Sequence, residues 1–434
     1  MGWFPQRGEA VLDRTGTRFV LESELARGGQ GVVFTTQADG AAVKLSLQND
    51  DLRRARVDEQ IRSVALLPIA DLPVALPRTT LAPPYVGYTM TLLTGMVPAR
   101  ELVRRPSRRQ SLIQWYRESG GLRKRLAVLA SVAETISDLH ARGLVYGDLS
   151  GGNVLVSSFA DRDRTFLIDL DNLRFAEGPG PGTFTPSYGA PEQRTGTTQA
   201  TDRFSLTVLA HELVTSQNPF FGSVLDALPP ETPIEPWSSL APWIDHPTDG
   251  SNRWPRELPR ELLVPPRLRR LFRSAFTDGI DDPRQRPDAS VVAIAARSAL
   301  ASTVTCSSCE WHYYLDQPIC PECDAPSSAR GYRIFEMSAG RPMPFRRCPF
   351  VLFDEGGRFS LTSEVVRRTR SNSPPALSGR VVEGEVAFEV TRPAELSAAG
   401  HPGVSGWSAP IDESVRLDRR GLLPLVLIPL GGTA

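Results

Sequence analysis

Short apolar runs bounded by polar residues and glycine dominate the first part of the chain. Three of them, at 19–21, 41–43 and 86–93, have the length and apolar character of β-strands. Between the second and the third lies DDLRRARVDEQIRSVALL (50–67), whose acidic start suits the positive end of a helix dipole. This order predicts strands that flank one helix.

A longer helix is predicted for about 122–142, because apolar residues recur there at helical spacing and Gly143 follows as a C-terminal glycine does. The apolar stripe consists of Leu126, Leu129, Ala130, Ala133, Ile136 and Leu139.

Residues 330–434 lack this helical periodicity. They contain short strand-like runs broken by Gly, Pro and Ser, which predicts a small β-sandwich or barrel.

Three apolar runs alternate with polar loops directly after the long helix. Two of them flank a loop that carries Asp148 and Asn153, and the third delivers Asp169. This spacing predicts three oxygen-bearing side chains at the ends of adjacent strands. Mg²⁺ prefers hard oxygen ligands and keeps several waters, so one carboxylate and one amide beside a phosphate suffice to hold it. The other carboxylate can then act as a base in phosphoryl transfer.

Composition limits the size of the core and the class of partner. The 434 residues, 41% hydrophobic and 23% charged, suffice for two or three globular domains. Lysine plus arginine equals aspartate plus glutamate at 49 each, which argues against nucleic acid or an anionic membrane as the main partner. The longest apolar run, LLPLVLIPL (422–430), is too short to cross a bilayer, and no secretory signal is seen. We therefore expect a cytoplasmic protein without a membrane segment.

Two motifs in the polar loops carry a family resemblance. YGDLSGGN (146–153) stands where protein kinases have HRDxxxxN, and DLD (169–171) stands where they have DFG. The chain thus resembles a bacterial protein kinase of the eukaryotic-like Ser/Thr class. The resemblance implies that Asp148 is the catalytic base, that Asn153 and Asp169 bind Mg²⁺ or Mn²⁺, and that ATP is the phosphoryl donor.

Lysine is rare in this chain, occurring only at Lys44 and Lys124, so its position is informative. Lys44 ends the run at 41–43 and resembles the lysine of the family's VAIK strand, which contacts the ATP phosphates. The segment LARGGQGVVF (25–34) resembles the family's glycine-rich GxGxxGxV loop, with Ala26 in place of the first glycine. By itself it also fits a plain hairpin turn. The nucleotide-facing residues that the resemblance implies are Gly28, Gly29, Gly31 and Val33.

Family members pair the strand lysine with a glutamate of the next helix. Glu59 is the best match for that glutamate. The apolar residues around it would suit an inward-facing residue at 57, 58 or 60 equally well, so the register of the helix stays open.

The run at 86–93 resembles the strand that leads into the kinase hinge, where the backbone contacts adenine. The resemblance makes Met90 the gatekeeper and turns the backbone of Thr91 and Leu93 toward adenine. Any buried strand has a similar pattern. Only its place between the helix and the polar loops supports the adenine role.

The catalytic segment departs from the family at three positions. Gly147 replaces the arginine that receives an activation-loop phosphate in the family. Alanine at Thr183, Thr185 or Ser187 is therefore expected to change activity little unless one of these residues contacts substrate directly. Ser150 replaces a lysine that neutralises the transferring phosphoryl group. Asp171 replaces the DFG glycine, and it either binds metal or caps the turn.

Three further family positions follow in the expected order. Residues 190–192 read Ala-Pro-Glu, as in the APE motif of the family. Asp202 matches the helix aspartate that holds the catalytic-loop backbone, and Arg286 matches the arginine that pairs with the glutamate of APE, here Glu192. These residues are expected to be structural.

Two CxxC pairs separated by ten residues form the segment CSSCEWHYYLDQPICPEC (306–323). Zn²⁺ takes four thiolates tetrahedrally, and each CxxC offers two sulfurs, so the spacing predicts a zinc ribbon. Free thiols or two disulfides are the alternatives, and a reducing compartment disfavours the disulfides. The expected zinc ligands are Cys306, Cys309, Cys320 and Cys323.

The predicted fold class is α+β, a bilobal kinase-like fold followed by a zinc ribbon and an all-β domain. The predicted bounds are 15–300 for the kinase-like domain (N-lobe about 15–93, C-lobe about 94–300), 304–326 for the ribbon and 330–434 for the β-rich domain.

Three functions fit the sequence. The first is phosphoryl transfer from ATP to Ser/Thr hydroxyls of a protein substrate. The second is a pseudokinase scaffold that binds nucleotide or a partner, and the third is a small-molecule phosphotransferase. The β-rich domain is a candidate protein-interaction module.

Overall fold

The computed structural model describes residues 5–28, 31–48, 50–104, 110–159, 164–176, 184–256, 258–327, 329–345, 348–353, 357–361, 375–391, 396–398 and 404–430. The chain divides into two compact units. The first is built from Met1–Trp115, Ser131–Leu258 and Arg269–Val292, and the second from Tyr116–Ala130, Pro259–Leu268 and Ala293–Ala434.

An antiparallel sheet opens the first unit, and its described strands follow the order β1-β2-β3-β4-β6-β5. Helix α1, Asp51–Ala65, crosses between β4 and β5, and the Asp50 carboxylate caps it by accepting the N–H of Arg53. The sheet buries Leu21, Val32, Val43, Leu45 and Leu81 among others. The predicted strand and helix order of this region is confirmed. The strands are β1 Ala10–Leu12, β2 Arg18–Arg27, β3 Gly31–Thr36, β4 Ala41–Ser46, β5 Thr79–Thr80 and β6 Gly87–Thr91.

Strand β7, Met96–Pro98, leads to helices α2, Leu112–Glu118, and α3, Gly121–Ala141. The predicted apolar stripe of α3 is buried throughout. Gly143 ends the helix with φ +73°, a conformation that suits glycine because a Cβ would be strained there.

Four short strands frame the polar loops: β8 Leu144–Val145, β9 Val154–Ser157, β10 Thr165–Leu167 and β11 Arg174–Phe175. β9 lies between β10 and β7, and β8 pairs with β11. Val154 at the start of β9 is opposite Leu167 at the end of β10. This antiparallel register brings the loop before β9 and the turn after β10 to the same edge.

Helices make up most of the chain from 199 to 301. α4 is buried along nearly its whole length, and it begins at a capping box formed by Thr198 and Thr201. A π-helical turn at Ser274–Asp278 separates α8 from α9. No helix among the described residues is long and apolar enough to cross a membrane. The helices are α4 Gln199–Thr215, α5 Ser223–Asp226, α6 Trp237–Leu240, α7 Arg260–Leu263, α8 Pro266–Arg273, α9 Gly279–Asp281 and α10 Ala289–Ala301.

Strand β12, Thr303–Thr305, lies just before the cysteine segment and pairs antiparallel with β13, His312–Tyr314, inside it. After it, two antiparallel sheets pack around one apolar core that includes Tyr332, Ile334 and Phe388. The described strand orders are β15-β14-β23-β22-β20, with β16 also on β14, and β17-β18-β19-β21. The predicted all-β tail is confirmed. The strands are β14 Gly331–Ser338, β15 Arg341–Pro344, β16 Phe350–Leu352, β17 Arg358–Leu361, β18 Leu377–Val382, β19 Glu385–Val390, β20 Leu396–Ala398, β21 Gly406–Pro410, β22 Val415–Arg419 and β23 Leu425–Pro429.

Candidate active site and cysteine cluster

The loop between β8 and β9 is held in place by Asp202 of α4. The Asp202 carboxylate accepts the backbone N–H groups of Tyr146, at 2.7 Å, and of Gly147, at 2.8 Å. His140 Nε2 lies 3.0 Å from the same carboxylate. Asp202 is almost fully buried, so these contacts fix the start of the loop against a rigid helix. The geometry agrees with the structural role expected for Asp202.

Gly147 occupies a backbone conformation that explains the missing arginine. Its φ is +91°, and a Cβ built there would lie 3.2 Å from the carbonyl oxygen of Asn172. The Gly147 carbonyl accepts a hydrogen bond from Gln193 Nε2 at 2.9 Å. A bulky side chain would therefore be strained at this position, because only glycine adopts this φ without cost.

Asp148 lies in the middle of the loop and has partners on both carboxylate oxygens. Its Oδ1 accepts the backbone N–H and the hydroxyl of Thr185, each at 2.9 Å. Its Oδ2 accepts Nδ2 of Asn153 at 3.3 Å. Burial raises the pKa of Asp148, and the Thr185 hydrogen bonds only partly offset that rise. A partly buried carboxylate in a fixed orientation can accept a proton from a bound hydroxyl.

Thr185 forms a contact that the sequence analysis did not anticipate. That alanine at this position changes activity little stays a prediction. The structure adds that the Thr185 hydroxyl donates to Asp148, the proposed base. Thr185 lies shortly before Ala190-Pro191-Glu192, but no local pattern indicates that it contacts Asp148. Thr183 lies outside the described residues.

Asn153 and Asp169 are brought together at the edge of β9 and β10. The N–H of Ile168, the residue before Asp169, donates to the carbonyl of Asn153 at 3.0 Å. Asn153 Nδ2 donates to the Asp148 carbonyl at 2.8 Å, which leaves the amide oxygen to serve as a ligand. Asp169 adopts a left-handed conformation with φ +57° and is partly exposed. One amide oxygen and one carboxylate fit the hard-oxygen demand of Mg²⁺.

Lys44 contacts two carboxylates of the turn that follows β10. Its Nζ lies 2.6 Å from Asp169 Oδ1 and 2.7 Å from Asp171 Oδ2. Burial alone would lower the pKa of Lys44, but Asp171 and Asp169 outweigh burial and raise it. The ammonium is therefore fixed as a cation near the predicted metal ligands.

Glu59 does not reach Lys44 in this structure. It is exposed on α1, and its neighbour Asp58 faces inward instead. Asp58 pairs with Arg14 and with Arg62, each at 2.9 Å. Gln60 also turns inward and donates to the carbonyl of Leu173 at 2.5 Å. The expected Lys44–Glu59 pair is thus not formed between these described residues.

The glycine-rich segment approaches Lys44 closely at one point. A Cβ added to Gly31 would lie 2.7 Å from the carbonyl oxygen of Leu45 and 3.3 Å from Cε of Lys44. Gly28 directly follows β2, at the end where β2 connects to β3, and donates its N–H to the Gly31 carbonyl at 2.9 Å. Val33 is opposite Lys44 in the pairing of β3 with β4. Gly29 lies outside the described residues.

The three predicted adenine contacts lie at the end of β6 and just beyond it. Met90 is half-buried and opposite Ala42 of β4, Thr91 is exposed, and Leu93 is half-buried. Their adenine-binding role stays a prediction.

Arg286 and Glu192 form the expected ion pair. The guanidinium contacts the carboxylate through Nη1 at 2.6 Å and Nη2 at 2.9 Å. Arg286 is almost fully buried, and its Nε donates to the Gly279 carbonyl at 2.7 Å. Two parallel hydrogen bonds give this pair a fixed geometry, which anchors the segment ending at Glu192.

The four cysteines of the second unit cluster around one point. Their sulfurs all lie within 4.8 Å of one another, and the two cross pairs, Cys306 with Cys323 and Cys309 with Cys320, are 3.6 and 3.7 Å apart. A tetrahedral site with metal–sulfur bonds of about 2.3 Å requires sulfur–sulfur distances of about 3.8 Å. A disulfide requires about 2.05 Å. The geometry thus fits a metal site, and none of these four cysteines forms a disulfide in the structure.

The cysteine segment packs within its own unit. Trp311 lies against Tyr116, with ring centroids 5.8 Å apart. Arg117 Nη1 donates to the Cys309 carbonyl at 3.3 Å, and the Tyr314 hydroxyl donates to the Leu263 carbonyl at 2.9 Å. Parts of α2 and α7 therefore contact the segment directly.

Comparison with known proteins agrees with the geometry of the loops. Residues 99–176 match the family model described as lipopolysaccharide kinase (Kdo/WaaP). The chain contains a kinase-like domain. It is 29% identical over 238 residues to the Ser/Thr protein kinase PkaA of Streptomyces coelicolor, a match that covers 51% of this chain and 43% of PkaA.

Two other relatives are Ser/Thr protein kinases as well. PknD of Chlamydia caviae is 23% identical over 232 residues, 47% of this chain and 25% of PknD. PknG of Mycobacterium leprae is 33% identical over 110 residues, 25% of this chain and 14% of PknG. The matched segments span less than half the length of each relative. The comparisons support kinase-type phosphoryl transfer and leave the acceptor open.

Proposed function

We propose that this chain transfers the γ-phosphoryl group of ATP to Ser/Thr hydroxyls of a protein substrate. The observation that carries the proposal is Asp148, a partly buried carboxylate oriented by Asn153 on one side and Thr185 on the other. Asp148 would accept the proton of the attacking hydroxyl. The protein's main contribution would be to hold this base and the nucleotide in fixed positions.

ATP would enter with Mg²⁺ or Mn²⁺. Asn153 and Asp169 would hold the metal through oxygen, and Lys44 would bind the phosphates as a point charge. The metal supplies neutralisation of the phosphate charge when it is bound. Gly31 supports this assignment, since any Cβ would crowd Lys44 and the strand beside it.

Two observations support a protein acceptor: the contacts of segment 184–192, and the similarity of the chain to Ser/Thr protein kinases. Thr185 connects this segment to the base, and Glu192 is anchored through Arg286. A second candidate acceptor is a non-protein hydroxyl compound, and the match of residues 99–176 to lipopolysaccharide kinases favours it.

For the cysteine cluster, we propose one structural Zn²⁺ bound by Cys306, Cys309, Cys320 and Cys323. Four thiolates leave no open coordination position, so this metal would not catalyse. The Ser308 N–H points at Cys306 Sγ at 3.4 Å, a contact that favours the thiolate.

The predicted domain bounds stay proposals. Tyr116 and Leu263 belong to the predicted C-lobe, yet they contact Trp311 and Tyr314. Truncation near residue 300 would uncover them. The role of 330–434 as an interaction module also stays a proposal.

The test is transfer of radiolabelled phosphate from ATP with Mg²⁺ or Mn²⁺, by the wild type and by Asp148→Asn. Casein and a purified lipopolysaccharide serve as alternative acceptors. We expect acid-stable phosphoserine or phosphothreonine in the protein acceptor with the wild type only. Transfer to lipopolysaccharide alone would favour the second acceptor class. Nucleotide binding without transfer to either would favour the scaffold.

A further inference from the structure

Lys44 is held by two carboxylates of one turn, and the two differ in their surroundings. The side chain of Asp169 is 30% exposed, whereas that of Asp171 is 18% exposed. Asp169 stands at the position expected to bind metal. A metal ion there would compete with Lys44 for the Asp169 oxygens, because a carboxylate that ligates a divalent cation interacts less with a second cation. Asp171 would then remain as the partner of Lys44.

Asp171 is also fixed from the side of the sheet. Tyr88 of β6 is directly opposite Lys44 of β4. The Tyr88 hydroxyl donates to Asp171 Oδ1 at 3.3 Å, while Lys44 Nζ contacts Oδ2. Burial raises the pKa of Tyr88 well above its usual value, so the hydroxyl keeps its proton and remains a donor. Both oxygens of Asp171 thus have partners on neighbouring strands.

Helix α1 offers no competing carboxylate among its described residues. Asp51 and Glu59 are exposed, and the buried Asp58 is already paired with Arg14 and Arg62. Kinase-type catalysis requires the strand lysine to be held beside the phosphates. In this chain the carboxylates that contact Lys44 lie in the turn after β10.

We infer that Asp171 is the residue that positions Lys44 for the nucleotide phosphates, in the role that the sequence analysis gave to Glu59. The inference rests on the proposed kinase function. It also gives a role to the second carboxylate of DLD, which contacts Lys44 and Tyr88 in the structure. Asp171 is a positioning residue, since it acts through Lys44 and does not itself touch the reacting atoms.

The experiment is a double-mutant cycle read as the affinity of a fluorescent ATP analogue in the presence of Mg²⁺. Asp171→Asn and Lys44→Met are measured singly and together on the full chain. We expect Asp171→Asn to weaken binding about tenfold when Lys44 is present and less than about twofold in the Lys44→Met background, as for two residues in direct contact.

Two further variants sharpen the cycle. Tyr88→Phe removes only the hydroxyl, and we expect a smaller loss of about threefold that again disappears in Lys44→Met. This variant also covers the case in which Asp171→Asn fails to fold, which circular dichroism would reveal. The matched control for a lost charge is Asp39→Asn, because Asp39 has an exposed carboxylate in the turn between β3 and β4.

The outcomes are distinct. Equal weakening by Asp171→Asn with and without Lys44 would mean that Asp171 acts on the metal or the nucleotide itself, and would overturn the inference. Coupling of Lys44 to Glu59→Gln instead of Asp171→Asn would assign the role back to α1 and would also overturn it. A wild type that binds no ATP with Mg²⁺ would overturn the proposed function, which none of the other outcomes does.

Discussion

The chain forms its two candidate binding sites in opposite ways. The cysteine cluster draws all its ligands from residues 306–323, each pair supplied by a local CxxC turn. The Lys44 site joins residues that are 125 and 127 positions apart in sequence. The first geometry follows from local backbone turns. The second exists only after the sheet that carries Lys44 has packed against the turn that follows β10.

The two sites also differ in the signs of the charges that they bring together. The four cysteines include no positive group. As neutral thiols they do not attract one another by charge, and as thiolates they repel one another. Lys44 instead carries a charge opposite to those of Asp169 and Asp171 and contacts both carboxylates. We therefore expect loss of the metal to disrupt the cysteine segment, whereas loss of the nucleotide should leave the Lys44 site ordered.

The largest effect is expected from removal of one thiol. Cys306→Ser should release the proposed zinc and expose 303–327 to proteolysis, because the site contributes its binding energy to the folding of the segment. Metal analysis of protein purified without chelator checks this, with about one Zn²⁺ per chain expected in the wild type.

The matched control for that prediction is Cys348→Ser. Cys348 lies outside the cluster, and its Sγ contacts the Phe350 carbonyl. It should keep the metal. A wild type without zinc, or a Cys306→Ser variant that retains it, would contradict the metal site.

Asp148→Asn should lower kcat by about 10³-fold, since it removes the proposed base. The affinity for ATP with Mg²⁺ should stay within about twofold, because Asp148 acts on the hydroxyl and the nucleotide is bound elsewhere. Single-turnover phosphotransfer and equilibrium binding measure the two quantities separately. Asp169→Asn is the contrasting variant, in which metal-dependent nucleotide binding should fail as well.

Arg286→Ala should lower the free energy of unfolding of the first unit by about 3–5 kcal/mol, because it leaves Glu192 without its buried partner. Urea denaturation measures the change. Arg284→Ala is the control, since Arg284 forms an exposed pair with Asp282 and its loss should have little effect. Equal stability of the two variants would show that the long-range pair does not stabilise the fold.

Thr185→Val should change the pH dependence of activity with a smaller effect on its maximum. The Thr185 hydroxyl favours the ionised form of Asp148, so its loss should raise the pKa of Asp148 further. A base with a higher pKa is protonated at a higher pH. The acid limb of the profile of kcat/KM against pH should therefore move upward by up to about one pH unit. Thr185→Ser keeps the hydroxyl and should keep the wild-type profile.

Several positions were predictable because short segments carry their own information. The order of strands and helices in the first unit followed from apolar periodicity, and the all-β tail followed from its broken apolar runs. Asp202 and Arg286 were identified by their places relative to motifs. The structure gives both the contacts expected of them.

The register of α1 could not be read in this way. Its apolar residues defined a buried face, but a helical face spans several positions, and the rotation of the helix against the sheet selects among them. Asp58 and Gln60 turn inward, and Glu59 does not. Thr185 was missed for a related reason, because its partner Asp148 is 37 positions away.

The sequence by itself determined the cysteine quartet and the polar residues that follow each apolar run, since both are set by spacings of a few residues. Only the tertiary structure decided that Lys44 meets Asp171 and that Asp148 meets Thr185. The physical reason is that such pairs depend on the packing of elements distant in sequence, and no local pattern encodes the distance between two elements that meet only in the folded chain.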